Sequence, residues 1–176
     1  MILETQPHPV LQAMLDARAE LDASIDERRG TAALGSRCIS FRVGDELYAV
    51  ELSAVREVIV PPAAVPVPGA GPEVVGVINL RGNVVTVMNS RAMLGLPGTP
   101  SGPHARVLVL DEGGEWIGAL VDAVDDIILV DPAALEDPGP SNRRGAAQLR
   151  VRGTLTVGTQ IAFLVEPEAL IGAAPE

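Results

Sequence analysis

Phe, Tyr and Trp together make up only 2% of this 176-residue chain, so a core must be filled by Val, Leu, Ile and Ala, which the 47% hydrophobic content supplies. One cysteine, Cys38, excludes an internal disulfide framework and fits a reducing compartment. Two histidines, His8 and His104, and that single thiol are too few for a zinc site, and each histidine reads as a solvated loop residue. Neither G-x-S-x-G, a Walker A loop nor H-E-x-x-H occurs. No apolar run approaches the roughly 20 residues of a membrane span. The N-terminus has no basic segment leading into an apolar one, so no secretory signal is expected. Positive charge is also scarce: 13 basic against 23 acidic residues leave a net charge of −10, which would repel a phosphate backbone. These absences point to a soluble cytoplasmic protein with neither catalytic centre nor metal nor cofactor.

What is present falls into two unlike parts. Residues 9–29 are rich in Ala, Leu, Asp, Glu and Arg, and Val10, Met14, Ala17, Leu21 and Ile25 recur at gaps of four, three, four and four. That spacing predicts one apolar stripe on an amphipathic helix, with Gly30 as its stop. Such a helix packs on its own domain, frays in solution or is offered to a partner helix or bundle, a second copy of the chain included. Residues 1–35 are therefore expected to be a helical extension, 36–172 the main domain and 173–176 a short tail.

After Gly35 the pattern changes to period two. Residues 37–43 alternate, Cys38, Ser40 and Arg42 on one face and Ile39, Phe41 and Val43 on the other; Gly44-Asp45 signals a turn, and 46–52 reads as the return strand. Further strands are expected over residues 55–60, 84–88, 106–110, 115–121, 126–130, 149–151 and 160–165. Short helical turns are expected over 72–77, 91–94 and 167–170. Pro61, Pro62, Pro66 and Pro68 impose an extended connection, because proline has no N–H to give a ladder. Residues 131–144 read as an irregular loop.

An internal repeat organises these elements. RCISFRVGDELYAVELSAVREVIV (37–60) aligns without a gap on RVLVLDEGGEWIGALVDAVDDIIL (106–129), with six identities that include Gly44/Gly113, Ala54/Ala123 and Val55/Val124. Residues 78–82 lie over 149–153, which makes Arg152-Gly153 the counterpart of Arg81-Gly82, and 83–95 lie over 160–172. Two short-strand copies predict two small barrels, each too small to bury much alone and so packed together.

Charge set among strand segments is the remaining signal. Arg56 and Glu57 interrupt an apolar run, Arg81 and Arg91 flank residues 84–88, and Asp122, Asp125 and Asp126 form an acidic group read as a solvated rim. A guanidinium among core segments must reach solvent, a carboxylate or a partner, and Arg81 with Glu57 is a candidate pair.

The blocks YAVELSAVREVI (48–59), GVINLRGNVVTVMNSR (76–91), WIGALVDAVDDIILVDPAALEDP (116–138) and IAFLVEPEALI (161–171) resemble the CheW family of bacterial chemotaxis coupling proteins, in order and over about three quarters of the chain. The resemblance implies a mostly β fold of two intertwined five-stranded SH3-like β-barrels with short helices. It also implies a non-enzymatic adaptor joining chemoreceptor cytoplasmic tips to the regulatory domain of a CheA-type histidine kinase at membrane-associated receptor arrays. By the same resemblance, Leu52, Val55, Glu57, Val58, Asn79 and Arg81 face a receptor groove, and the hairpin at Gly44, Asp45 and Leu47 is a candidate kinase contact. The family's Pro and Asp of the second block are Thr86 and Asn89 here, and Glu166 stands where Asp is commoner. Alternatives are an adaptor of a paralogous pathway, such as pilus motility, and a small-ligand-binding barrel.

Overall fold

The computed structural model describes residues 9–24, 35–139 and 151–172, the side chains of 19–24 excepted. A helix, α1 (Pro9–Ser24), precedes ten strands: β1 (Ser36–Val43), β2 (Glu46–Glu51), β3 (Val55–Ile59), β4 (Val74–Leu80), β5 (Asn83–Asn89), β6 (Arg106–Glu112), β7 (Glu115–Val121), β8 (Ala123–Val130), β9 (Val151–Val157) and β10 (Gln160–Val165). One helical turn, α2 (Ser90–Met93), follows β5, and another, α3 (Glu168–Ile171), follows β10.

The strands form two five-stranded sheets, ordered β8-β1-β2-β10-β9 and β3-β6-β7-β5-β4. Shifting every strand number by five converts one order into the other. Each half of the chain leaves two strands in one sheet and sends three to the other, so the sheets are intertwined. The crossings are short: residues 52–54 form a single 3-10 turn between β2 and β3, and Asp122 alone separates β7 from β8. Ala54 and Ala123 thus stand at equivalent crossing points.

Each sheet curls until its edges meet. The proline-bearing segment after β3 returns to β4, the opposite edge, where Val65 and Val77 exchange backbone hydrogen bonds of 2.8 and 2.9 Å. Glu136 and Thr154 do the same between the segment after β8 and β9, at 2.9 and 2.8 Å. The first contact explains why residues 74–77 are not the helical turn their flanking Pro72 predicts. A Cβ on Gly76 would lie 2.5 Å from the Val65 carbonyl oxygen, so glycine lets the two backbones approach and the segment pairs as β4. Other limits also move. β2 ends one residue early, with Leu52 in the crossing turn; β8 begins at Ala123; α2 and α3 are each shifted by a residue; and β9 runs over Val151–Val157, well past the three residues expected. Residues 132–134 of the expected loop form a 3-10 turn, and its end lies outside the described residues.

The alternation along β1 and β6 separates two kinds of core. Cys38 joins Ala49, Val130 and Leu164 inside one lobe, while its repeat counterpart Val107 joins Val85, Val87, Val109 and Leu120 inside the other. Ile39, Phe41 and Val43 from β1, and Leu108 and Leu110 from β6, point instead into a cluster shared by both lobes. Among the described residues this shared cluster is the largest, so the lobes are held together by more apolar surface than either encloses. Val10, Met14 and Ala17 of α1 belong to it, which places their stripe against the chain's own strands. The Leu21 side chain and Ile25 lie outside what is described.

Candidate docking site

β3 carries the chain from one sheet to the other, and its residues define the site. A bulge between Val55 and Glu57 shifts the register with β6, so Val55 and Val58 both enter the shared cluster while Arg56 faces solvent. Leu52, in the crossing turn, joins the same cluster. These three apolar candidates are buried in the described conformation, and part of what lies over β3 is α1. The outward Arg56 places its guanidinium carbon 3.9 Å from the Trp116 ring centroid and lies 3.7 Å from an Asp111 carboxylate oxygen.

Glu57 meets Arg81. The guanidinium donates from Nη1 and Nη2 to the two carboxylate oxygens at 2.7 and 2.8 Å, a fork on a fork. The Glu57 side chain is 9% exposed and that of Arg81 69%, so the pair has a fixed acid and an outward-facing cation. The hydrogen bonds to Glu57 raise the Arg81 pKa, and it stays charged at any physiological pH. Because β3 and β4 are opposite edges of their sheet, this pair also ties the curled sheet's edges together.

The local sequence explains how Arg81 is held out. Leu80 pairs with Asn83, leaving Arg81-Gly82 as a two-residue loop with φ of 51° and 86°, the type I′ signature. Gly82 suits such a φ at no steric cost; among the described residues Arg81 is the only other residue type with positive φ. The Asn79 side-chain oxygen accepts the Gly82 N–H at 2.9 Å and fixes the turn. Asn79 is exposed beside it. Asn-Leu-Arg-Gly is therefore a turn whose second loop position is glycine and whose first is a presented arginine.

The repeat counterpart of Arg81 needs correcting. β4 and β9 correspond at an offset of 77 residues, so Arg81-Gly82 matches the β9–β10 loop, Gly158-Thr159. Arg152-Gly153 lies within β9, where Arg152 pairs with Glu51 and, at 3.4 Å, with Glu166. The similarity of the two Arg-Gly pairs misleads because the β8–β9 connection is longer than the β3–β4 one.

A second site gathers around the β1–β2 turn. Asp122 accepts from Arg91 Nε and Nη2 at 3.0 and 2.7 Å and from the Gly44 N–H at 2.7 Å. The candidate kinase hairpin is thereby clamped to α2 and to the β7–β8 crossing. Asp45 is exposed at its tip; the hydrogen bonds to Asp122, then the charges of Asp122 and Asp45, raise the Arg91 pKa. Leu47 is buried and presents no side chain to a partner, so of the three candidates there only Gly44 and Asp45 offer surface. The acidic group is not a solvated rim in this respect: Asp122 is held by Arg91, and Asp125 by Arg42 at 3.0 Å. Nor does it gather ligands; among the described residues no three His, Cys, Asp or Glu could hold a metal ion.

Asn89 is the N-cap of α2. Its oxygen caps α2, accepting from the Arg91 and Ala92 N–H groups, and its amide donates to the Gly98 carbonyl at 3.0 Å and to Thr99 Oγ1 at 3.2 Å. A carboxylate could cap but not donate, so Asn89 anchors the segment after α2 in a way Asp cannot. Arg91 takes Asp122 as its acid. That pairing spans 31 residues, and nothing in the local pattern announces it.

With this geometry in hand, comparison with known proteins decides the family: the CheW-like domain matches residues 37–174. The chain belongs to the CheW family. It is 34% identical over 136 residues to the chemotaxis protein CheW of Rhizobium meliloti, covering 77% of this chain and 87% of that one. Protein PilI of Pseudomonas aeruginosa is 33% identical over 86 residues, 49% of this chain and 48% of that one. The scaffolding protein TtCheW of Thermoanaerobacter tengcongensis superposes with a TM-score of 0.70 over 81% of this chain and 97% of that chain, at 21% identity. The fold is thus the mostly β one expected, two intertwined five-stranded units with short helices and a helix before them. Among the described residues no helix is long and apolar enough to cross a membrane.

Proposed function

We propose that this chain is a non-enzymatic cytoplasmic adaptor that couples chemoreceptor cytoplasmic tips to the regulatory domain of a CheA-type histidine kinase. The observation that carries this reading is the composition of β3 and its surroundings. Leu52, Val55 and Val58 form an apolar strip where the chain passes between lobes, and the Glu57–Arg81 pair stands beside it with its cation turned outward. An apolar strip rimmed by fixed charge suits an amphipathic helix, which would bring anchors at helical spacing. The kinase contact falls on the clamped β1–β2 turn, through Gly44 and Asp45. The CheW relatives, named as chemotaxis and scaffolding proteins, support the adaptor role.

Titration of the full chain with a receptor-tip helical hairpin and, separately, with the kinase regulatory domain tests this. Binding of both at or below about 100 µM, near −5.5 kcal/mol, is expected. Absence of both ends the reading. A second reading, an adaptor of a paralogous pathway such as pilus motility, is favoured by the PilI similarity, but that match covers less of the chain than the chemotaxis one. Preferential binding of a pilus-system receptor would select it.

A further inference from the structure

The strip assigned above to a receptor helix already has a helix on it. α1 packs on β3 and β8, the two crossing strands, and its Val10, Met14 and Ala17 enter the same cluster as Leu52, Val55 and Val58, with Val124 and Ile127 of β8 beside them. Two polar contacts seat it. Arg18 Nη2 donates to the Val55 carbonyl at 3.4 Å, and Arg37 Nη1 donates to the Ala17 carbonyl at 3.2 Å. The opposite side of the helix is open: Leu15 is half exposed, and Gln12 and Asp16 bond each other there.

We propose that α1 is a built-in competitor: it occupies the helix-docking strip across β3 and β8, and a receptor-tip helix gains that strip only by displacing it. This rests on the adaptor reading and adds both a regulation and a description of the ligand. Two helices cannot cover Val55 at once. The seated helix is held by two mid-sized side chains and an alanine, and one of 16 residues has little stability by itself once lifted off. Yet it is tethered, with residues 25–34 joining it to the domain, so even a modest contact competes at high effective concentration. The occupant also templates what replaces it: a helix with apolar anchors at i, i+4 and i+7, as Val10, Met14 and Ala17 are spaced.

The test uses the full chain and a chemoreceptor-tip helical hairpin as probe, with affinity read by calorimetry and α1 docking by amide hydrogen exchange. Met14→Glu, which drives a charge into the seat, is expected to bind the hairpin about tenfold tighter than the unaltered chain. Arg18→Ala, which removes one hydrogen bond at an exposed residue, is expected to shift affinity the same way by about twofold. Leu15→Glu, on the open side, is expected to change nothing. In the unaltered chain, the hairpin should strip exchange protection from α1. Equal affinity for Met14→Glu, weaker affinity, or α1 protection unchanged by bound hairpin each overturns the competitor role while leaving the adaptor reading standing. If the hairpin binds none of the four proteins while the kinase domain still binds, the receptor groove itself is misassigned, and the competitor falls with it.

Discussion

The β4–β5 and β9–β10 loops occupy equivalent places in the two lobes, and they differ in one respect that matters. One is Arg81-Gly82, its arginine forked onto Glu57; the other is Gly158-Thr159, with no side chain at the first position. The counterpart of Glu57 at the repeat offset is Asp126, exposed, with one carboxylate oxygen accepting the neighbouring Ile127 N–H at 2.8 Å. Both loops are two residues long and close an antiparallel pair, although only Arg81-Gly82 has positive φ at both positions, so closing the hairpin does not require an arginine there. The second lobe thus serves as an internal control: the duplicated architecture persists, while among the described residues of these two loops the exposed cation over a buried acid belongs to the first copy.

The same contrast runs along the crossing strands. Val55 of β3 is 1% exposed, whereas its repeat counterpart Val124 on β8 is only half-buried, although α1 packs on both strands. A charge at the two positions should therefore be tolerated unequally. Val55→Asp is expected to lose about 4 kcal/mol of unfolding free energy, since it buries an unpaired carboxylate in the shared cluster. Val124→Asp should lose about 1 kcal/mol, because its side chain can turn toward water. Urea unfolding of both variants checks the pair; equal losses would mean that β3 and β8 are buried alike and the asymmetry carries no energy.

Much of this was legible in the sequence. Alternating β-branched residues mark most strands of both repeats, though not β4, and two charges stranded among apolar runs offer Glu57 and Arg81 as a candidate pair. What stayed hidden depends on contacts distant in sequence. β4 looks like a turn until Val65 is brought beside Gly76. The Asp122–Arg91 clamp joins groups that alternation cannot relate. Part of the cover over β3 comes from a helix whose apolar stripe is plain but whose seat is set by tertiary packing.

The loop comparison can be made at the bench by giving the first lobe the glycine of the second. Arg81→Gly keeps a residue suited to positive φ and removes only the charge. It is expected to weaken receptor-tip binding about tenfold, as loss of an interface arginine does. It should also lower Tm, because Glu57 loses its partner in a nearly buried position. Adding Glu57→Gln should restore most of the Tm, since a neutral amide costs less to leave there, without restoring binding. If binding returns along with stability, Arg81 is a strut between β3 and β4, and the contrast with Gly158 concerns lobe closure rather than recognition.

The smallest expected effect distinguishes the two lobe interiors, through Cys38 and its counterpart Val107. Burial, chiefly, and the nearby Glu51 push the Cys38 thiol from its ordinary 9.0 to about 11, so it is neutral and unreactive at pH 8. The folded protein then holds this proton more tightly than the unfolded chain does. The resulting stability is fully present below about pH 9 and is lost as pH rises toward about 11, because unfolding there releases a proton. Tyr48, also pushed upward by burial and by Glu46, adds a loss of the same sign beginning above its ordinary 10.0. Cys38→Val, which copies the residue of the other lobe, should flatten the pH 9–10 part of the stability curve and leave the Tyr48 part in place. Denaturant midpoints at half-unit pH intervals decide it: an unchanged slope between pH 9 and 10 would mean that the first lobe's interior admits a thiolate as readily as unfolded chain does, and that the two interiors are not equally dry.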